Sequence, residues 1–376
     1  MPREPRMRPD GASTQAARRR RGRQAVAAIG GSLFGLVTSL YSEELRRLLE
    51  ASVSGLAGHA VPILLTAVVA SVSSVICYEF LFRRQRPHRV IAGRIRIDQA
   101  ALDPRFRSET PVAGRQLHYL ESPQTTADLV VLLHGLGLDA GDFRPVMAEC
   151  RLHSVAFTQY GFNREERDHP DYRPISLAAH VHLLGYALRV LHRRYPRKRI
   201  SLVGFSSGAD LLLMLAEREP ETLSLLRPRW ALLLDPNVNH TTTTFSSAIA
   251  GTSGDREVRE LVSILRGARN QSEFVYLAEY VSKIASKDFA HVRGLAKEIV
   301  QRYRTEDYRP FLASLARLNN LVSTTTVVLS RDHEKVYSTL AGRVPQRLGV
   351  RLECSLTSHF DLIRPNFLIR RLESFQ

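Results

Sequence analysis

The chain contains 376 residues, and 53 lysines and arginines against 37 aspartates and glutamates give it a formal net charge of +16 at pH 7. Hydrophobic residues make up 44% of the sequence and charged residues 24%, which allows a packed core and excludes a wholly disordered chain. The three cysteines contain no CxxC pair, which excludes a secreted disulfide scaffold and a cysteine-based zinc site and favours a reducing compartment.

The positive charge is concentrated in two stretches near the N-terminus. Residues 1–23 carry eight arginines against two acids, and residues 83–96 carry six arginines and no acid. Together they account for +12 of the net charge, and they flank the most apolar part of the chain. This placement favours a lipid bilayer as partner and argues against nucleic acid.

Two apolar runs lie between these basic stretches. Residues 24–42 contain no charged side chain, and residues 51–78 contain only His59 as an ionisable group. A membrane-spanning helix needs about 20 apolar residues, so we expect two transmembrane helices within residues 24–82, preceded by a basic disordered arm at 1–23. The arginine-rich flanks then place everything after residue 83 on the cytoplasmic side of the cell inner or plasma membrane. A single span and a cleaved export signal are the alternatives.

The rest of the chain alternates short apolar runs with helical patterns. Residues 83–96 combine a basic juxtamembrane stretch with a first strand, which is predicted at Val90–Ile97. The remaining predicted strands are Gln116–Glu121, Leu129–His134, Val155–Gln159, Ile200–Phe205, Trp230–Asp235, Thr325–Ser330 and Val350–Ser355. Several are continuously apolar, as expected of strands covered on both faces, so the pattern predicts an α/β fold with a mostly parallel eight-stranded sheet flanked by helices. Residues 237–320 read as an inserted helical lid between strands six and seven.

The strongest motif is a serine flanked by glycines, Gly204–Gly208, between a predicted strand and a predicted helix. A sharp turn from strand to helix needs small neighbours, which Gly204 and Gly208 supply, and it exposes the serine hydroxyl above the sheet. Ser206 is therefore the predicted nucleophile, and Ser207 is predicted to be its packed neighbour.

A second glycine-containing turn, His134-Gly135-Leu136-Gly137, follows the strand Leu129–His134. Such a turn can direct a backbone N–H toward the end of the neighbouring strand. We expect the N–H groups of Leu136 and Ser207 to form an oxyanion hole. The alternative is a tight turn with a structural histidine.

A nucleophilic serine needs a base and an acid that orients the base. His359 follows the last predicted strand, and Asp332 follows the strand before it, so both lie at strand ends where sites gather in open α/β sheets. The order Ser206, Asp332, His359 is the one expected for this type of turn. His333 is predicted to be exposed, and His180, His182 and His192 are predicted to lie on a solvated helix face.

On these motifs, residues 88–376 resemble the alpha/beta-hydrolase superfamily, and the architecture resembles membrane-anchored, lidded, monoacylglycerol-lipase-like enzymes. The chain departs from the family's Gly-x-x-Asp pattern at the acid turn, where it has Ser330-Arg331-Asp332, so Asp235 and Glu334 stay open as alternative acids.

The resemblance implies a membrane-anchored serine hydrolase that acts on an amphiphilic ester and needs no metal or organic cofactor. A thioesterase or amidase of the same fold and a non-catalytic membrane-bound scaffold are the competing hypotheses.

Overall fold

The computed structural model describes residues 87–98, 116–252, 270–345 and 348–375, together with a few single positions between residues 102 and 268. The predicted basic arm and the two predicted transmembrane helices lie outside the described residues. In the described part of the chain, no helix combines the length and apolar character needed to cross a bilayer.

An eight-stranded sheet forms the centre of the fold. Its strands are β1 (Ile91–Arg96), β2 (Gln116–Ser122), β3 (Asp128–Leu133), β4 (His153–Phe157), β5 (Arg199–Phe205), β6 (Ala231–Leu234), β7 (Thr325–Leu329) and β8 (Arg351–Cys354). Their order in the sheet is β1-β2-β4-β3-β5-β6-β7-β8. The pairs β1–β2 and β2–β4 are antiparallel, and the other pairs are parallel. The predicted mostly parallel sheet is confirmed.

Burial explains why the central strands were recognisable. All residues of β3, β4, β6 and β7 are buried, because helices cover both faces of a mostly parallel sheet. Such strands require continuous apolar runs, as in Ala231–Leu234. Every predicted strand boundary lies within two residues of the observed one.

Helices connect most of the strands. In the described residues they are α1 (Arg144–Glu149), α2 (Arg164–Arg167), α3 (Leu177–Arg194), α4 (Ser207–Arg218), α5 (Pro220–Leu226), α6 (Thr244–Ala250), α7 (Gln271–Ala285), α8 (Phe289–Arg302), α9 (Arg309–Leu321), α10 (Glu334–Ala341) and α11 (Pro365–Glu373). Helices α6 to α9 lie between β6 and β7, where the sequence predicts helical structure. That this segment acts as a lid remains a prediction.

The histidines of α3 correct one expectation. His180 and His182 are buried, not solvated. His180 Nε2 lies 3.3 Å from His291 Nε2 on α8, and His182 Nδ1 lies 2.6 Å from a carboxylate oxygen of Glu219. The prediction was wrong because α8 and the α4–α5 corner cover faces of α3 that the sequence of α3 alone presents as polar.

Candidate active site

Ser206 occupies a strained turn between β5 and α4. Its backbone angles are φ 52° and ψ −123°, a conformation that non-glycine residues rarely adopt. A Cβ atom on Gly204 would lie 2.5 Å from the Cα atom of Ala209, and one on Gly208 would lie 2.4 Å from the carbonyl oxygen of Leu133. The two glycines are therefore needed for the turn to form. Ser206 is partly exposed whereas Ser207 is buried, so only Ser206 presents its hydroxyl at a surface.

The turn after β3 contacts this serine directly. A Cβ atom on Gly135 would lie 3.2 Å from the Cβ atom of Ser206, so only a hydrogen atom fits comfortably between them. The next residue in the chain, Leu136, is buried. The backbone N–H of Leu138 donates a hydrogen bond to the carbonyl oxygen of Gly135 at 3.2 Å. The backbone beside Leu136 thus lies next to the serine turn, where an oxyanion donor is needed.

His134 holds this second turn in place. Its Nε2 atom accepts a hydrogen bond from the backbone N–H of Gln159 at 3.0 Å, so the proton resides on Nδ1, which donates to the carbonyl oxygen of Gly135 at 2.8 Å. The side-chain amide of Gln159 also donates to the carbonyl oxygen of His134. Burial lowers the pKa of His134, which keeps the ring neutral. These bonds give His134 a structural role.

The ring of His359 contacts the carboxylate of Asp235, the residue that directly follows β6. His359 Nδ1 lies 2.6 Å from Asp235 Oδ2. Burial alone would raise the pKa of Asp235, but hydrogen bonds from His333 and His359 outweigh burial and lower that pKa well below its usual range. The carboxylate is therefore ionised. Asp235, like Ser206, has a positive φ, of 49°.

Asp332, the first choice of the sequence analysis for the acid, contacts His359 in another way. Its Oδ2 atom accepts a hydrogen bond from the backbone N–H of His359 at 3.1 Å. Asp332 thus fixes the main chain of the histidine loop, whereas Asp235 bonds the ring. The geometry thus favours Asp235, the alternative acid, over Asp332 as the partner of the imidazole ring. The other alternative, Glu334, begins α10 and is exposed.

His333 is the residue that the sequence analysis missed. It was predicted to be exposed, but only 12% of its side chain is accessible, and its Nδ1 atom lies 2.9 Å from Asp235 Oδ1. Burial would lower the pKa of His333, but the hydrogen bond and charge of Asp235 raise it above its ordinary value. Two histidines separated by 26 residues therefore share one carboxylate, an arrangement that local sequence does not indicate.

A cavity of about 420 Å³ joins these groups, since Ser206, His359, His333 and Asp332 all line it. Its other wall comes from the segment after β6 and from helices α6 and α7. That wall includes Asn237, Thr241, Thr242, Thr244, Phe245, Ser246, Leu277 and Glu273. The cavity mixes hydroxyl groups with apolar side chains, so it suits a molecule that has both polar and apolar parts.

Aromatic rings surround the imidazole of His359. The ring centroids of Phe205, Phe360 and Phe245 lie 4.6, 5.0 and 5.3 Å from it. Phe205 immediately precedes Ser206, so this packing sets the imidazole beside the serine turn.

Residues 130–365 match the model of the alpha/beta hydrolase family. No curated protein matches the chain at a significant level.

Solved structures with a similar fold have low sequence identity to this chain. A hydrolase from Oleispira antarctica has a TM-score of 0.53 and 14% identity, covering 75% of this chain and 98% of its own. A bromoperoxidase from Bacillus anthracis has a TM-score of 0.50 and 13% identity, covering 75% of this chain and 99% of its own. Naproxen esterase from Bacillus subtilis has a TM-score of 0.49 and 14% identity, covering 77% and 92%.

Proposed function

Since the chain belongs to the alpha/beta hydrolase family, as the match over residues 130–365 establishes, we propose that it is a serine hydrolase that cleaves carboxylic esters with Ser206, His359 and Asp235. The observation that supports this most directly is the 2.6 Å hydrogen bond between His359 and Asp235 at a cavity that Ser206 also lines. Asp332 is assigned to the support of the His359 loop.

The proton arrangement follows from the ionised state of Asp235. A carboxylate accepts hydrogen bonds, so the proton of the neutral imidazole resides on Nδ1 of His359 and its Nε2 lone pair is free. Nε2 removes the proton of Ser206 as Oγ attacks the ester carbonyl carbon. The imidazolium then gives that proton to the leaving alcohol, which departs as the acyl-enzyme forms.

Water completes the cycle by the same route in reverse. His359 takes a proton from the water as its oxygen attacks the acyl carbon, and returns that proton to Ser206 as the carboxylic acid leaves. The backbone N–H groups of Leu136 and Ser207 stabilise the oxyanion of both tetrahedral intermediates. One such donor contributes about 10²–10³ in rate.

Labelling with a fluorophosphonate probe tests the nucleophile. We expect the wild type to be labelled covalently and Ser206→Ala to be unlabelled, because only a deprotonated serine displaces fluoride from the probe. Ser207→Ala is the matched control, since its hydroxyl is adjacent but buried, and it should still be labelled. Labelling of Ser206→Ala would place the nucleophile elsewhere, and an unlabelled, folded wild type would favour the scaffold hypothesis.

For the substrate, we propose an amphiphilic ester such as a monoacylglycerol or lysophospholipid, met at a bilayer that residues 24–82 span. The apolar runs and their arginine-rich flanks support this placement, with the catalytic domain on the cytoplasmic side. Nearness to the bilayer would raise the local concentration of such substrates.

Two measurements test this second proposal. Carbonate extraction should leave the full-length protein in the membrane fraction, and protease added to intact cells should not reach the catalytic domain. Hydrolysis of esters, thioesters and amides of one acyl chain should be fastest for the ester. A protein released by carbonate contradicts the anchor, and preference for the thioester or amide selects the alternative activity.

A further inference from the structure

The Asp235 carboxylate is held at both of its oxygen atoms. Oδ2 receives the Nδ1–H of His359, while Oδ1 receives the Nδ1–H of His333 at 2.9 Å and the backbone N–H of Ser330 at 2.8 Å. The side chain of Asp235 is fully buried. Its orientation is therefore set by its hydrogen bonds and not by water, and His333 supplies the only side-chain donor described on the oxygen that faces away from His359.

His333 bonds Asp235 from a different structural element than His359 does. It ends a short 3₁₀ turn, Arg331–His333, between β7 and α10, and it lines the same cavity as Ser206. The imidazole of His333 comes from the turn after β7, and that of His359 comes from the loop after β8. The two rings therefore hydrogen-bond the Asp235 carboxylate from two different elements.

The electrostatic surroundings of His333 are acidic. Asp235 bonds its ring, Asp332 and Glu334 are its chain neighbours, Glu273 of α7 lines the same cavity, and the one cation of the 3₁₀ turn itself is Arg331. His359, on the other side of Asp235, bonds the second oxygen of the same carboxylate. Burial lowers the pKa of His333, but the hydrogen bond and charge of Asp235 and the charge of Asp332 outweigh burial and raise it, which favours the positively charged form.

We propose that His333 is a positioning residue of the hydrolytic site: it fixes the plane of the Asp235 carboxylate, and its positive charge weakens the hold of Asp235 on the protonated form of His359. This inference rests on the proposed function. It assigns two separable effects to His333. Its hydrogen bond orients the Asp235 carboxylate, and its charge changes how strongly Asp235 stabilises the protonated form of His359.

The two effects predict different results for different substitutions. His333→Ala removes both the donor and the charge, so the Asp235 carboxylate can turn away from His359. His333→Asn keeps an N–H donor near the position of Nδ1 but removes the charge. Without that neighbouring positive charge, the ion pair between Asp235 and the imidazolium of His359 is stronger, so the acidic limb of kcat/KM should move to higher pH.

The test measures kcat and KM for p-nitrophenyl esters from pH 5 to 9 with the full-length protein. We expect His333→Ala to lower kcat about 10- to 100-fold and to change KM much less, since the orientation of Asp235 acts on the chemical step. His333→Asn should recover kcat to within about fivefold of the wild type, and it should move the acidic limb of kcat/KM upward by about 0.5 to 1 pH unit.

His169→Asn is the matched control, because His169 is also paired with a carboxylate but its side chain is 47% exposed and it does not line the cavity. It should leave kcat and the pH profile unchanged. If His333→Ala does not fold, the profile of His333→Asn decides alone: an upward shift supports the inference and an unmoved limb overturns it.

Two other outcomes would also overturn it. A folded His333→Ala enzyme with kcat within threefold of the wild type would show that the hydrogen bond from His333 to Asp235 is dispensable. A His333→Ala enzyme as inactive as His359→Ala would make His333 the base itself. A wild type without esterase activity or probe labelling would instead remove the proposed function, and this inference with it.

Discussion

Asp235 and Asp332 both contact His359, but they contact different parts of it. Asp235 bonds the ring, is fully buried and is ionised, whereas Asp332 bonds the backbone N–H and is exposed. A ring contact decides which imidazole nitrogen carries the proton, while a backbone contact only steadies the loop. The chemical consequences of removing the two charges should therefore differ greatly.

Asparagine substitutions separate the two carboxylates. We expect Asp235→Asn to lower kcat by about 10³- to 10⁴-fold, because the amide can donate to Nδ1 and so stabilise the wrong tautomer of His359. Asp332→Asn keeps an oxygen for the backbone N–H and should cost less than tenfold. Steady-state kinetics with one ester substrate measures both.

Glu334→Gln serves as the control for these two variants, since Glu334 is exposed at the start of α10, and its activity should match the wild type. The assignment of Asp235 fails if Asp332→Asn is the more damaging of the two substitutions.

At the residue scale, local motifs sufficed for the serine turn but not for the acid. Gly204 and Gly208 mark the turn because backbone atoms leave no space for a larger residue. The acid depends instead on which of two strand ends faces the imidazole, and that is fixed by backbone conformations such as the positive φ of Asp235. The residue after Ser330-Arg331-Asp332 is His333, the histidine that bonds Asp235.

Helices α3 and α8 meet through a pair of buried imidazoles. The Nε2 atoms of His180 and His291 lie 3.3 Å apart, and the ring of Phe162 packs beside both. Two N–H groups cannot face each other at this distance without repulsion, so at most one of these nitrogens carries a proton. Burial lowers the pKa of His180 well below its ordinary value, and burial also lowers that of His291.

The buried His180 makes the stability of the folded protein depend on pH. In the unfolded chain a histidine binds a proton below about pH 6.5, whereas folded His180 stays neutral there. The unfolded state therefore gains protons as the pH falls, and the free energy of unfolding decreases by up to about 1.4 kcal/mol per pH unit for this group. The stabilisation is complete above pH 6.5 and is lost progressively below it.

His180→Gln should show this effect by its absence. We expect the free energy of unfolding in urea to fall less between pH 7 and pH 5 for His180→Gln than for the wild type, because glutamine does not titrate. His169→Gln, an exposed histidine treated alike, should follow the wild type. Parallel curves for His180→Gln and the wild type would contradict the assignment of the pH dependence to His180.

At the element scale, the sequence predicted that α3 is a helix but not which of its faces is buried. The polar residues His180 and His182 read as a solvated side because their partners, His291 and Glu219, are far away in sequence. A hydrogen-bonding partner converts a polar residue into a core residue, and only the fold supplies that partner.

For the whole molecule, the arrangement of the sheet was the most predictable feature. Continuous apolar runs identify strands covered on both faces, and their alternation with helices predicts a parallel sheet. The predicted strand boundaries accordingly agree with the structure. The site residues were harder to predict from the sequence than the sheet. They are a few side chains that are brought together by the loops at the ends of those strands.

The four-residue strand β8 lies at the edge of this sheet and, among the described strands, pairs only with β7. His359 lies in the loop that follows it. The proposed nucleophile, Ser206, follows the interior strand β5, so the serine and the histidine differ in how firmly the sheet anchors them. Local unfolding of this edge strand would move the imidazole of His359 away from Ser206 while the interior strands stay folded. The protein would then pass through a resting form with an ordered serine and no base, and catalysis would switch off before the fold melts.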